Sequence, residues 1–207
     1  MRKVLVVDDH PAIRVAIRIL LQQENYIVAG EVDNGVDALS VFKKINPDIT
    51  IIDIGIPSLD GIEVIKRIRM EGSPAIIIVF SALDSQHNML RCLQAGADGF
   101  VSKLDDIMML KKAILKCQSQ KKAFPKKVMH HGKYAELIDG DNIFSTLSSR
   151  EMTVLRNLCL GKANKEIAID MLLSEKTIST YKARLMAKLN VSNIVELIEL
   201  AKSKSLF

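Results

Sequence analysis

Residues 4–11 read VLVVDDHP, four aliphatic residues that run straight into two adjacent carboxylates, Asp8 and Asp9. A continuous apolar run of this length suits a strand covered on both faces. Ending it in neighbouring like charges requires something that makes the pair worth holding. Four more short aliphatic runs follow: YIVAGE (26–31), DITIID (48–53), AIIIVF (75–80) and GFVS (99–102). Amphipathic stretches separate them. PAIRVAIRILLQQ places Ile13, Ala16, Ile17, Leu20 and Leu21 on one face, with Pro11 suited to a first helical turn. Five strands alternating with five helices predict an α/β domain, a doubly wound parallel sheet, over residues 1–118.

In such sheets the ligand site lies beyond the carboxyl ends of the strands. Asp8 and Asp9 end the first strand, Asp53 ends the third, Ser81 follows the fourth and Lys103 ends the fifth. The topology therefore brings all of them to one edge. Three carboxylates converging there repel unless a cation sits among them. Mg²⁺ is the natural candidate because it takes hard oxygen ligands. A carboxylate beside it can act as a nucleophile toward phosphorus. The metal and a lysine ammonium then offset the charge of the phosphoryl group, and the Ser81 hydroxyl can donate to one of its oxygens.

Charge divides the 207 residues unevenly. Residues 1–118 carry 14 Lys/Arg against 15 Asp/Glu, whereas residues 119–207 carry 15 against 9. A near-neutral half joined to a basic half predicts two tasks, the second facing a polyanion such as nucleic acid. No apolar run approaches the ~18 residues of a membrane span, and the start is too short in apolar residues for a signal peptide. Cys92, Cys117 and Cys159 are odd in number and share no metal-type spacing. A cytoplasmic protein is expected. His130 and His131 are adjacent but have no Cys or acidic cluster at ligand spacing.

Residues 119–144 lose the apolar periodicity and read as a connector, with a short helix near 134–138. Beyond it the pattern is helical throughout. Ser148 with Glu151 forms a capping box for a helix that stops at Gly161, and Asn164, Ser174 and Asn193 are predicted to cap three more. NKEIAIDMLLSEKTISTYKARL has helix-turn-helix spacing. Its expected core is Ile167, Ala168, Leu172, Ile178, Leu185 and Leu189, with Tyr181 partly buried. Ser179, Thr180, Ala183 and Ala187 would form the exposed small face suited to the base edges of double-stranded DNA, with Thr177 also among the expected DNA-binding residues. Lys165, Lys176, Lys182, Arg184 and Lys188 would hold phosphates. A helical protein-interaction bundle remains the alternative on physical grounds alone.

VLVVDDHP, IIDIGIPSLDG, IVFSA and GFVSK together resemble the signatures of the two-component response-regulator receiver domain, a CheY-like fold. The resemblance implies that Asp53 is the phosphoacceptor, served by a sensor histidine kinase. Asp8, Asp9, Asp53 and the Gly55 carbonyl would hold Mg²⁺. Ser81, Phe100 and Lys103 would be the switch and phosphate-contacting residues. Two positions depart from the common pattern: Leu104 stands where many relatives have a cis-proline, and Phe100 lacks the hydroxyl of the commoner tyrosine. Gly55 and Leu83 flank the acceptor and bear no group able to activate water, so the phosphate is not expected to be lost unusually fast. LSSRE, G-x-x-N-K-E-I-A, S-E-K-T-I and K-L-N-V are similar to the LuxR-type helix-turn-helix of NarL/FixJ-class regulators, and STYKARLMAKL looks closest to the BvgA/EvgA branch. The expectation is a transcription regulator rather than an enzyme, a homodimer when phosphorylated. A haloacid-dehalogenase-like phosphatase would need a D-x-D spacing that DDHPA lacks.

Overall fold

The computed structural model describes residues 1–125, 128–129 and 143–203. Those up to Met129 fall in one compact unit and those from Ile143 in a second. In the first, β1 (Lys3–Val7), β2 (Ile27–Val32), β3 (Ile49–Ile52), β4 (Ile76–Ser81) and β5 (Gly99–Ser102) alternate with helices. These are α1 (Pro11–Gln23), α2 (Gly35–Ile45), α3 (Gly61–Met70), α4 (Gln86–Gln94) and α5 (Met108–Gln118). All strand pairs are parallel, in the order β2-β1-β3-β4-β5. This is the doubly wound sheet that the alternating pattern predicts.

The apolar strands divide their side chains between two layers. Leu5, Val7, Ile77 and Val79 pack with residues of α2, α3 and α4, whereas Val4, Val6, Ile78 and Phe80 pack with residues of α1 and α5. With both faces of β1 buried, polar alternates are disfavoured, which is why VLVV is continuous. Strand order reverses between β1 and β3, and the crevice at their carboxyl ends is where such sheets bind ligands. Asn34, Asp60 and Ser85 cap α2, α3 and α4 through side-chain oxygens. At Gly61 a Cβ would stand 2.3 Å from the Asp53 carbonyl oxygen. A glycine there lets the start of α3 close against the end of β3.

Residues 121–128 differ from the expected connector, because those described complete the first unit. Ala123 pairs in parallel with Gly99. Its amide donates to the Asp98 carbonyl at 2.8 Å and its carbonyl accepts from the Phe100 amide at 3.0 Å. The Lys122 ammonium reaches Asp98 at 2.8 Å, and Phe124 and Val128 are buried in the layer that holds Phe100. The segment covers the outer edge of β5, where unpaired backbone groups would otherwise face solvent. It is too short and irregular to leave a periodic signal. The helix expected near 134–138 lies outside the described residues, as do His130 and His131.

The second unit opens with a 3₁₀ turn (Ile143–Thr146), followed by α6 (Ser149–Cys159), α7 (Asn164–Asp170), α8 (Glu175–Leu189) and α9 (Ile194–Ser203). The predicted capping box is present: Ser148 N–H donates to Glu151 at 2.8 Å and Glu151 N–H donates to Ser148 Oγ at 3.3 Å. Gly161, at φ +79°, follows the end of α6. Ser174 and Asn193 accept from Thr177 and Glu196 amides at the starts of α8 and α9. Two expectations are corrected. Ala163, not Asn164, is the cap position of α7; Glu166 accepts from its amide at 2.7 Å, and Asn164 instead reaches Ser179 on α8 at 3.3 Å. Leu172 is not core but 79% exposed. It sits at φ +54° in a Schellman ending, in which Leu172 N–H bonds Ile169 and Leu173 N–H bonds Ala168. The left-handed turn throws Leu172 outward and brings Leu173 against the core. Ile167, Ala168, Ile178, Leu185 and Leu189 are buried as expected. No helix among the described residues is long and apolar enough to cross a membrane.

Candidate functional site

Asp8, Asp9, Asp53, Ser81 and Lys103 meet at the carboxyl edge of the sheet because β1, β3, β4 and β5 end in register there. Asp53 is 5% exposed. Its Oδ1 accepts from Ser81 Oγ at 2.5 Å and from the Gly55 amide at 2.9 Å, and its Oδ2 accepts from Lys103 Nζ at 2.6 Å. The same ammonium lies 2.7 Å from Asp8 Oδ2, while Asp8 Oδ1 accepts from the His10 amide at 2.9 Å. Ligand atoms of Asp8, Asp9, His10 and Asp53 all lie within 4.8 Å of one another.

Burial and charge pairing compete in this pocket. Desolvation pushes the Asp8 carboxyl above its ordinary range, and the Lys103 charge offsets only part of that. Burial also works to strip Lys103 of its proton, but Asp53 and Asp8 outweigh it and hold its pKa above the ordinary value. Lys103 is therefore a fixed cation between two carboxylates.

Phe100 is buried in the same layer as Phe124 and Cys92. Its N–H belongs to the edge segment, so its side chain and its backbone engage different neighbours. No cis peptide bond occurs among the described residues, and Leu104 is exposed. The turn after β5 is built by Ser102, whose hydroxyl accepts from the Leu104 amide at 3.2 Å and donates to Asp84 at 2.7 Å. This hydroxyl does locally what a proline would do by restricting the backbone. Neither Ser102 nor Asp84 stands out in the sequence, since each is an ordinary polar residue until the fold pairs them.

In the second unit, α7 and α8 form the expected helix-turn-helix. Lys165, Lys176, Ser179, Thr180, Ala183 and Arg184 are exposed and Lys182 is half-buried. Ser179 and Thr180 hydroxyls donate to the carbonyls four residues back, Glu175 and Lys176, and Ser179 Oγ also accepts from Asn164. Thr177 is committed to the helix start, its hydroxyl 2.8 Å from Ser174 Oγ. Lys188 is also engaged: its ammonium lies 2.7 Å from Glu151 and donates to the Thr146 carbonyl at 3.1 Å. Lys188 thus ties α8 to the capping box of α6. Burial pushes Glu151 upward most strongly, but bonds from Lys188 and Ser148 together outweigh it and leave its pKa below the ordinary range.

Comparison with known proteins agrees with both units. Residues 4–115 match the response regulator receiver domain, and residues 145–201 match the luxR family of bacterial regulatory proteins. The chain is 42% identical over 205 residues to the transcription regulator BvgA of Bordetella pertussis, covering 99% of this chain and 98% of that one. It is 34% identical over 198 residues to the DNA-binding transcriptional activator EvgA of Escherichia coli, covering 96% of each. Among solved structures, RcsB from Salmonella enterica serovar Typhimurium, bound to a promoter in the presence of the phosphomimetic BeF3−, superposes with a TM-score of 0.59. The two are 30% identical, with 96% of each chain covered.

Proposed function

The chain belongs to the two-component response regulators that join a receiver to a luxR-family regulatory domain and control transcription, and from that premise we propose that Asp53 is its phosphoacceptor and that phosphorylation controls DNA binding. The observation that carries this reading is the convergence of Asp8, Asp9 and Asp53 with Ser81 and Lys103 at one sheet edge. A histidine kinase would present a phosphohistidine. An Asp53 oxygen attacks the phosphorus, the O–P bond forms, and the P–N bond breaks with its electron pair passing to the imidazole. Ser81 and Lys103, which hold the two carboxylate oxygens, are within reach of the new phosphoryl oxygens. Their movement would be felt at Phe100 through strands β4 and β5.

The donor set fits a divalent cation of the Mg²⁺ type: three carboxylates gather at the pocket, and the Lys103 ammonium, paired with Asp8 and Asp53, offsets one of their charges. Asp8, Asp9 and Asp53 would hold it, joined by the Gly55 carbonyl. When bound it neutralises charge on the phosphoryl group in transit. Gly55 and Leu83 beside the acceptor have no group able to activate water, which favours a persistent phosphate. The protein acts as a stoichiometric acceptor and not as an enzyme. It works in the cytoplasm, as a homodimer when phosphorylated.

For DNA, Ser179, Thr180 and Ala183 would face base edges, with Lys165, Lys176, Lys182 and Arg184 on phosphates. Lys188 and Thr177 are set aside from that surface, Lys188 because its ammonium is paired with Glu151 and Thr177 because it is half-buried at the helix start. Incubation with acetyl phosphate and Mg²⁺, followed by intact-mass measurement, tests the acceptor. One added phosphoryl group that disappears in Asp53→Asn and without metal is the expected result. An added group retained in Asp53→Asn would overturn the assignment.

A further inference from the structure

The imidazole of His10 is unaccounted for by the phosphoacceptor chemistry. His10 occupies the cap position of α1 yet makes no side-chain cap bond. Ser, Thr, Asp or Asn are preferred there because their oxygens satisfy a free helix amide. His10 instead turns its ring to the carboxylates: Nδ1 lies 2.8 Å from Asp9 Oδ1 and 3.4 Å from Asp8 Oδ1, with the side chain 46% exposed. Its own amide bonds Asp8 Oδ1, so the backbone is held by Asp8 while the ring lies closest to Asp9.

These separations have a simple meaning. Two donors each about 2.1 Å from one metal ion and at right angles to each other stand roughly 3.0 Å apart. His10 Nδ1 and the two oxygens thus already sit near the spacing of adjacent ligands in an octahedral shell. Ligation at Nδ1 takes the imidazole tautomer that carries its hydrogen on Nε2, and the exposed side of the ring leaves that hydrogen to solvent.

We infer that His10 is a nitrogen ligand of the acidic pocket and makes it selective for borderline divalent cations such as Co²⁺ and Ni²⁺ over Mg²⁺. This rests on the reading of the pocket as a cation site. Mg²⁺ gains little from a nitrogen donor, whereas imidazole suits the later first-row metals, whose affinities rise along the series toward copper. The pocket accordingly takes Mg²⁺ through its oxygens alone and a transition metal through oxygens and Nδ1 together. The regulator would respond to the balance between the two kinds of ion.

The test is calorimetric titration of the full chain with Mg²⁺, Co²⁺ and Ni²⁺. Only the Co²⁺ or Ni²⁺ that excess Mg²⁺ displaces is counted, which excludes sites elsewhere. The variants are His10→Ala and His10→Ser, the serine supplying a better helix cap so that folding is retained. Both variants are expected to lose about tenfold or more in Mg²⁺-displaceable Co²⁺ and Ni²⁺ affinity, with Mg²⁺ affinity essentially unchanged. Equal Co²⁺ affinity in wild type and variants would overturn the nitrogen ligand. An equal loss for Mg²⁺ would overturn the selectivity. Absence of Mg²⁺ binding in the wild type, together with no phosphorylation by acetyl phosphate, would defeat the pocket reading itself, an outcome separate from either.

Discussion

Without the Lys103 ammonium, Asp8 and Asp53 would face each other as buried carboxylates, and removing one partner of a buried ion pair typically costs about 3–5 kcal/mol. Lys103→Met is expected to lose stability of that order near neutral pH, measured by urea unfolding. Asp8 already has a raised pKa. A carboxyl raised in the folded state destabilises the protein above its folded pKa and ceases to do so as pH falls through it. The Lys103→Met penalty should therefore shrink as pH falls through the raised pKa of Asp8. Glu151 has the opposite sign. Its pKa is depressed below the ordinary 4.5, so its contribution is present above that value and is lost as pH falls through the folded pKa. Glu151→Gln is expected to lower stability at neutral pH and to flatten the acid limb of the second unit's unfolding. Lys188→Met, which leaves Glu151 with one partner fewer, should cost about 2 kcal/mol and change DNA affinity less than the loss of Lys182 or Arg184.

At the scale of elements, two segments without regular periodicity carry stability that their composition does not advertise. Phe124, 5% exposed, anchors the strap along β5 in the same layer as Phe100. Phe124→Ala is expected to cost about 3–5 kcal/mol, and a chain cut after Gln118 should melt lower than one carried past Met129; thermal unfolding of the two measures this. The turn between α7 and α8 is the second case. Leu172 holds a left-handed conformation that carries a penalty of roughly 1–2 kcal/mol for residues with a Cβ, and its exposed side chain contributes little packing in return. Leu172→Gly should raise stability by about 0.5 kcal/mol, the relief being partly offset by greater freedom in the unfolded chain.

For the whole molecule, the cations of α7 and α8 predict behaviour in solution. With Lys165, Lys176, Lys182 and Arg184 on phosphates, DNA binding should have a steep salt dependence, each phosphate contact adding about −0.9 to the slope of log K against log salt. Lys182→Ala and Arg184→Ala should each reduce the slope by about one contact, whereas Lys188→Ala should leave it nearly unchanged. Mobility shift across a salt series reads the difference directly.

Alternation of apolar runs with amphipathic stretches was enough to determine the parallel sheet, because burial of both faces makes the central strands near-continuously apolar. The positions of Asp8, Asp53, Ser81 and Lys103 at strand ends then followed from the rule that such sheets bind at their carboxyl edge. Capping at Ser148, Ser174 and Asn193 was equally legible, being a local matter of side-chain oxygens and nearby amides. Tertiary structure alone decided that Ala123 and Phe124 belong to the first unit, that Lys188 serves Glu151, that Leu172 points outward and that His10 faces the carboxylates. Each of these depends on a partner or a backbone angle remote from any periodic signal: an open strand edge, a charge 37 residues away, a left-handed turn, a ring free of capping duty.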